Sequence, residues 1–168
     1  MAAKARFGPP LLVPVFGNGG VPPAWLEGQL GSPTVRILDV RNDGASRERI
    51  RHRGRAGVPS TFSSGHIPGS VPLDVRGSLF DACGAFVSAP ELAILMSTLG
   101  VGDEHTVVVV GDGPGGAAND AVRALSRYGH RDVHLLEGGF SRWVGEGRGV
   151  SYELVRHAPA SFTARVPT

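Results

Sequence analysis

The residues with the clearest chemical meaning lie in TVVVVGDGPGGAAND, positions 106–120. Val107 to Val110 predict a buried strand. Gly111, Asp112, Gly113, Pro114, Gly115 and Gly116 form a glycine-rich turn, and a helix opens after it. A strand, a loop of exposed amides and a helix amino terminus together attract an anion. Gly111, Gly113 and Gly116 also fit G-x-G-x-x-G, and Glu137 ends the next strand, where an acidic residue meets a ribose in that pattern. This gives a dinucleotide-binding reading. Against it, the fingerprint normally opens the first strand of such a fold. Here a strand and a helix precede it, and too little chain follows for a second nucleotide half.

Other side chains could take part. Cys83 is the single cysteine, set in DACGAF beside Asp81. No helix amino terminus or cationic cluster follows it to activate a thiolate, so it reads as a turn cysteine and a weak nucleophile candidate. Asp39 and Arg41 in LDVR could bind substrate, but such a pair at a strand end more often ties neighbouring loops together. His66 in GHIPG reads as holding its turn, because no nucleophile is placed for it to serve as acid or base. His130 follows a helix stop at Gly129 and should interact with that helix end. Trp143 should pack in the core. Arg47, Arg49, Arg51, Arg53 and Arg55, with His52 among them, read first as a solvated loop and second as a contact for an anion or a partner.

The elements that must position these residues follow from pattern. VPPAWLEGQL reads as a short helix with prolines in its first turn. VRILDV, 35–40, is a buried strand. Residues 41–64 are polar, arginine-rich and lack hydrophobic periodicity, so they predict a long basic surface loop. GHIPGSVPLDV turns at Pro68 and Gly69 into a strand. Ser88 and Glu91 form a capping box, Leu92, Leu95, Met96 and Leu99 share a helix face, and Gly100 stops it. After Ala117, the residues Ala118, Ala121, Val122, Leu125 and Tyr128 give a second amphipathic helix. DVHLLEGG is a strand and turn, and FSRWVGEG a last short helix. Strands thus alternate with helices, which predicts an α/β domain with a central, mostly parallel sheet and helices on both faces. The 111–116 loop then lies beyond the carboxyl ends of the strands, where ligands sit.

Composition narrows the class. The chain has 168 residues and a net charge of +2. That length builds one domain without disulfides or metal. The charge is too weak to imply nucleic acid, and no aromatics are interleaved with the arginines for stacking. No apolar run reaches the roughly 18 residues of a membrane span. One cysteine leaves no internal disulfide, so a cytoplasmic location is expected. Residues 1–20 read as a poorly ordered leader rather than a signal peptide.

Four segments carry a family resemblance: ILDVR at 37–41, SGHIPGSVPLDV at 64–75, SAPELAILMSTLGVGDEHTVVVV at 88–110, and ALSRYGHRDVHLLEGGFSRW at 124–143. In order and spacing they resemble the rhodanese, or sulfurtransferase, superfamily over about 110 residues. The resemblance implies a five-stranded rhodanese-like domain over 21–148. It gives Asp39, Arg41, Gly65, His66, Pro68, Gly69, Gly138, Gly139 and Trp143 as structural motif positions. No cofactor or metal is implied. Active members carry a cysteine after the central strand, which attacks the outer sulfur of thiosulfate or 3-mercaptopyruvate and holds it as a persulfide. The matching position here is Gly111, which has no nucleophile, and Asp112 opposes an incoming anion. First halves of tandem members often look this way, and the tail at 149–168 resembles the linker that leaves such a half. The expectation is a domain inactive by itself, structural or regulatory, whose partner is a catalytic rhodanese domain or another protein. The alternative is a sulfurtransferase working through Cys83 or a partner's cysteine.

Overall fold

A computed structural model describes residues 20–41, 60–112 and 116–167. Its elements run β1 (Gly20–Val21), α1 (Pro23–Gly28), β2 (Val35–Asp39), α2 (Ser60–Ser63), β3 (Ser70–Pro72), α3 (Val75–Ser78), α4 (Ala89–Thr98), β4 (Thr106–Val110), α5 (Gly116–Arg127), β5 (Val133–Leu136) and α6 (Gly139–Gly145). The five strands form one sheet in the order β1-β5-β4-β2-β3, and every pairing is parallel. All strand carboxyl ends therefore meet at one pole, with β4 central and β3 an edge.

The valine run explains the layers. Successive side chains of a strand point to opposite faces, and a sheet covered on both faces reads as continuous apolar sequence. All five residues of β4 are buried. Val107 and Val109 pack with Leu38, Leu92 and Met96 of α4, and Ala121 and Leu125 of α5. Val108 and Val110 pack on the other face with Ile37, Leu26 of α1 and Trp143 of α6. The periodic helices form where their patterns place them. Ser88 caps α4 by accepting from the Glu91 N–H, and the Glu91 carboxylate accepts from the Ser88 N–H at 2.8 Å. Pro68 and Gly69 make the turn before β3, with Ser70 N–H donating to Ile67 O at 3.1 Å and Gly69 at φ +82°.

Three differences from the sequence reading stand out. Gly20, assigned to a leader at 1–20, is the first residue of β1. Residues 60–63, assigned to the loop at 41–64, form α2. The tail at 149–168, read as linker-like, is bound to the body from Ser151 to Arg165. Ser151 and His66 exchange backbone bonds of 2.7 and 3.0 Å, and Arg165 N–H donates to Tyr128 O at 2.7 Å. Phe162 is buried in the core.

Candidate functional site

The carboxyl pole of the sheet is built around Arg41. Leaving β2, the chain turns so that the Arg41 guanidinium meets the Asp39 carboxylate twice. Nη2 donates at 2.7 Å and Nε at 3.0 Å, while the Arg41 backbone N–H donates to the same carboxylate at 3.0 Å. Both residues are buried. Nη2 also donates to Gly65 O at 2.9 Å, and the guanidinium lies 3.6 Å from the Phe140 ring centroid at the start of α6. One cation thus joins the end of β2, the turn before β3 and α6. Its charge is paired with Asp39, and its Nε and Nη2 groups are held by fixed acceptors, so it positions the pole.

Gly111 leaves the end of β4 and its carbonyl accepts from Phe140 N–H at 2.9 Å. The backbone of the loop entry is thereby pinned to the amino end of α6. Asp112 is exposed, with the Ser141 hydroxyl donating to its carboxylate at a long 3.5 Å. Gly113, Pro114 and Gly115 lie outside the described residues, as do Arg47, Arg49, Arg51, Arg53 and Arg55. Gly116 opens α5. The Gly138–Gly139 pair takes φ values of +75° and +62°, the left-handed region that favours glycine. This turn swings the chain from β5 into α6 and brings Phe140 to Gly111.

The remaining predicted residues are held by other contacts. His66 is fully buried and stacks on Phe62 with ring centroids 3.8 Å apart. Its Nδ1 faces Phe62 O at 2.9 Å and its Nε2 faces Glu153 O at 2.7 Å, so it ties α2 to the tail. Trp143 is fully buried and donates through Nε1 to Gly149 O at 2.9 Å. Cys83 is exposed in a turn closed by Asp81, whose carboxylate accepts from the Cys83 and Ala85 N–H groups. Glu137, the ribose-contact candidate, ion-pairs with Arg142 at 3.6 Å. Among the described residues no group of His, Cys, Asp and Glu is arranged to hold a metal.

Sequence reasoning did not foresee Phe140, whose ring and N–H join Arg41 to Gly111. Its signal was present as the aromatic residue directly after the paired glycines. Nor did it foresee Tyr152, whose ring lies against Gly65 where a β-carbon would come within 3.5 Å. No helix among the described residues is long and apolar enough to cross a membrane.

Comparison with known proteins gives this arrangement a context. The chain is 32% identical over 139 residues to the sulfur carrier protein TtuD of Thermus thermophilus, covering 82% of this chain and 44% of that protein. A thiosulfate sulfurtransferase of Corynebacterium glutamicum is 29% identical over 140 residues, covering 83% and 42%. The chain therefore spans less than half the length of these relatives. Among solved structures, a 3-mercaptopyruvate sulfotransferase from Escherichia coli superposes with a TM-score of 0.74 at 25% identity, covering 89% of this chain and 56% of that one. The family described as the rhodanese-like domain matches residues 22–146, from α1 through α6. With that match over most of its length, and the all-parallel sheet built around it, the chain belongs to the rhodanese-like sulfurtransferase family.

Proposed function

We propose that this rhodanese-like domain is not itself a sulfurtransferase and serves as a structural or regulatory half for a catalytic rhodanese domain or another protein. The observation that carries the reading is Gly111. It directly follows the central strand β4, where the resemblance to the family calls for the sulfur-accepting cysteine, and it offers no nucleophile. Asp112 beside it puts a carboxylate at the mouth of a loop meant for an anion, which opposes thiosulfate. The Asp39–Arg41–Gly65 lock and the Phe140 bond to Gly111 support a frame retained for shape. Relatives named a sulfur carrier protein and a thiosulfate sulfurtransferase support sulfur transfer from thiosulfate as the chemistry such a frame would serve.

The test is thiocyanate release from thiosulfate and cyanide. The expected rate equals that of a no-protein control. Activity above the control that disappears in Cys83→Ser would instead favour the enzymatic reading. In Gly111→Cys, incubation with thiosulfate should leave a fraction of the chain one sulfur atom heavier by mass spectrometry. Absence of that mass in a folded variant would mean the loop no longer has the persulfide-holding shape.

A further inference from the structure

The tail from His157 to Arg165 crosses the amino pole of the sheet, opposite the Gly111 loop. It is held at regular intervals. His157 Nε2 donates to Gly69 O at 3.2 Å, and Ala160 N–H to Ser97 O at 3.0 Å. Asp103 grips it twice, its N–H donating to Ser161 O at 3.0 Å and its carboxylate accepting from Thr163 N–H at 2.8 Å. Phe162 is buried beside the His130 ring, with centroids 5.4 Å apart. Gly100, at φ +81°, lies so close beneath His157 and Ala158 that a side chain there would collide with them.

Two buried histidines support this grip in a form that excludes a second ring proton. His105 Nδ1 accepts from Gly102 N–H at 2.8 Å, which closes the turn that presents Asp103 to the tail. A proton on that nitrogen would face another donor. Among the described residues His130 Nε2 is buried with no hydrogen-bond partner, so a proton added there would be an unsatisfied buried donor, a costly group. We propose that residues 157–165 are a proton-released strap, held across the amino pole while His105 and His130 are neutral and freed when they are protonated.

The charged groups around the rings agree. Burial lowers the His130 pKa below its ordinary 6.5, and the His105 backbone with the Asp132 and Asp103 carboxylates only partly offsets this. Burial also lowers that of His105, followed by the nearby Arg36, against a weaker opposing pull from Glu104 and the Pro33 backbone. His157, the first residue of the strap, is lowered by burial and by Arg36, against the pull of Gly69 O. Burial raises the Asp103 carboxyl, but the Thr163 bonds, His130 and Arg165 outweigh it and leave it below its ordinary 3.8. Asp103 therefore stays ionised while the histidines titrate, so the release belongs to the rings. His134 and Asp132 pair at 2.8 Å beside His130 and stay outside the strap. Folded-state pKa values below the free value mean that the closed strap binds fewer protons than the open one. Closure is complete above about pH 6.5 and weakens as the pH falls below it.

Hydrogen exchange of the full chain, read by mass spectrometry between about pH 7.5 and 5.5, tests this. Corrected for intrinsic rates, exchange at 160–165 should rise by up to about tenfold per pH unit for each linked histidine. Val107–Val110 should stay protected throughout. His130→Phe and His105→Asn, which keep a ring or an acceptor but cannot titrate, should each flatten the rise. If one of them does not fold, the other still decides. Strap exchange independent of pH, loss of β4 protection in step with the strap, or an undiminished rise in both folded variants would each overturn the proposal.

Discussion

Arg41 shows how a catalytic-looking residue can be structural. A buried guanidinium with two contacts to Asp39, a third to a carbonyl and an aromatic ring beneath it is held in one place by the fold. Removing either partner leaves the other charge buried and uncompensated, which costs about 3–5 kcal/mol. Asp39→Asn or Arg41→Met should therefore lower the thermal midpoint by roughly 10 °C, as read by calorimetry. Charge-conserving Arg41→Lys should recover only part of this, because an ammonium cannot make the same forked contact. A midpoint unchanged in Asp39→Asn would show that the pair does not hold the pole.

At the scale of elements, Trp143 anchors α6 to the core. Trp143 fills the sheet face opposite α4 and α5, and its indole N–H takes Gly149 O as the chain turns into the tail. Trp143→Phe keeps a ring but leaves that carbonyl without its donor and opens a gap, at a cost of about 1–3 kcal/mol. Urea unfolding should show an earlier midpoint with an unchanged slope. Elements with many repeats of their pattern were legible in sequence. β4 was written as four valines, α4 as a capping box with a Leu/Met stripe, and α5 as a stripe of alanines and Leu125. What stayed hidden was short or non-local. β1 has two residues and acquires its identity only by pairing with β5. α2 and α3 have four residues each, too few for a period. The tail has no period because it is held by single contacts to distant turns. Its one sequence sign was Phe162, a large apolar residue among small and polar neighbours. At the pole, Gly111 was legible from its place after the valines, whereas the contact of Phe140 with both Arg41 and Gly111 required the folded chain.

At the scale of the whole molecule, two buried histidines, His105 and His130, and the half-buried His157 have lowered pKa values and set a pH response. Each is neutral in the folded state and protonates more readily once unfolded, so unfolding takes up protons as the pH falls. Stability should be flat above about pH 6.5 and decline below it. Urea midpoints taken from about pH 8 to 5 should follow that curve, and a midpoint that rises on acidification would contradict it.

The edge strand β3 has a further effect on how these molecules treat one another. In a parallel ladder, alternate N–H groups point inward and outward. Leu73 N–H points inward to Asp39 O. The outward positions of β3 are then Ser70 and Pro72. Ser70 N–H is already given to Ile67 O, and Pro72 has none. β3 thus offers an approaching strand no outward N–H, which weakens the pairing of two chains along it. The same Pro-Gly turn that leads the chain into β3 takes up the Ser70 N–H and so blunts that side of the sheet.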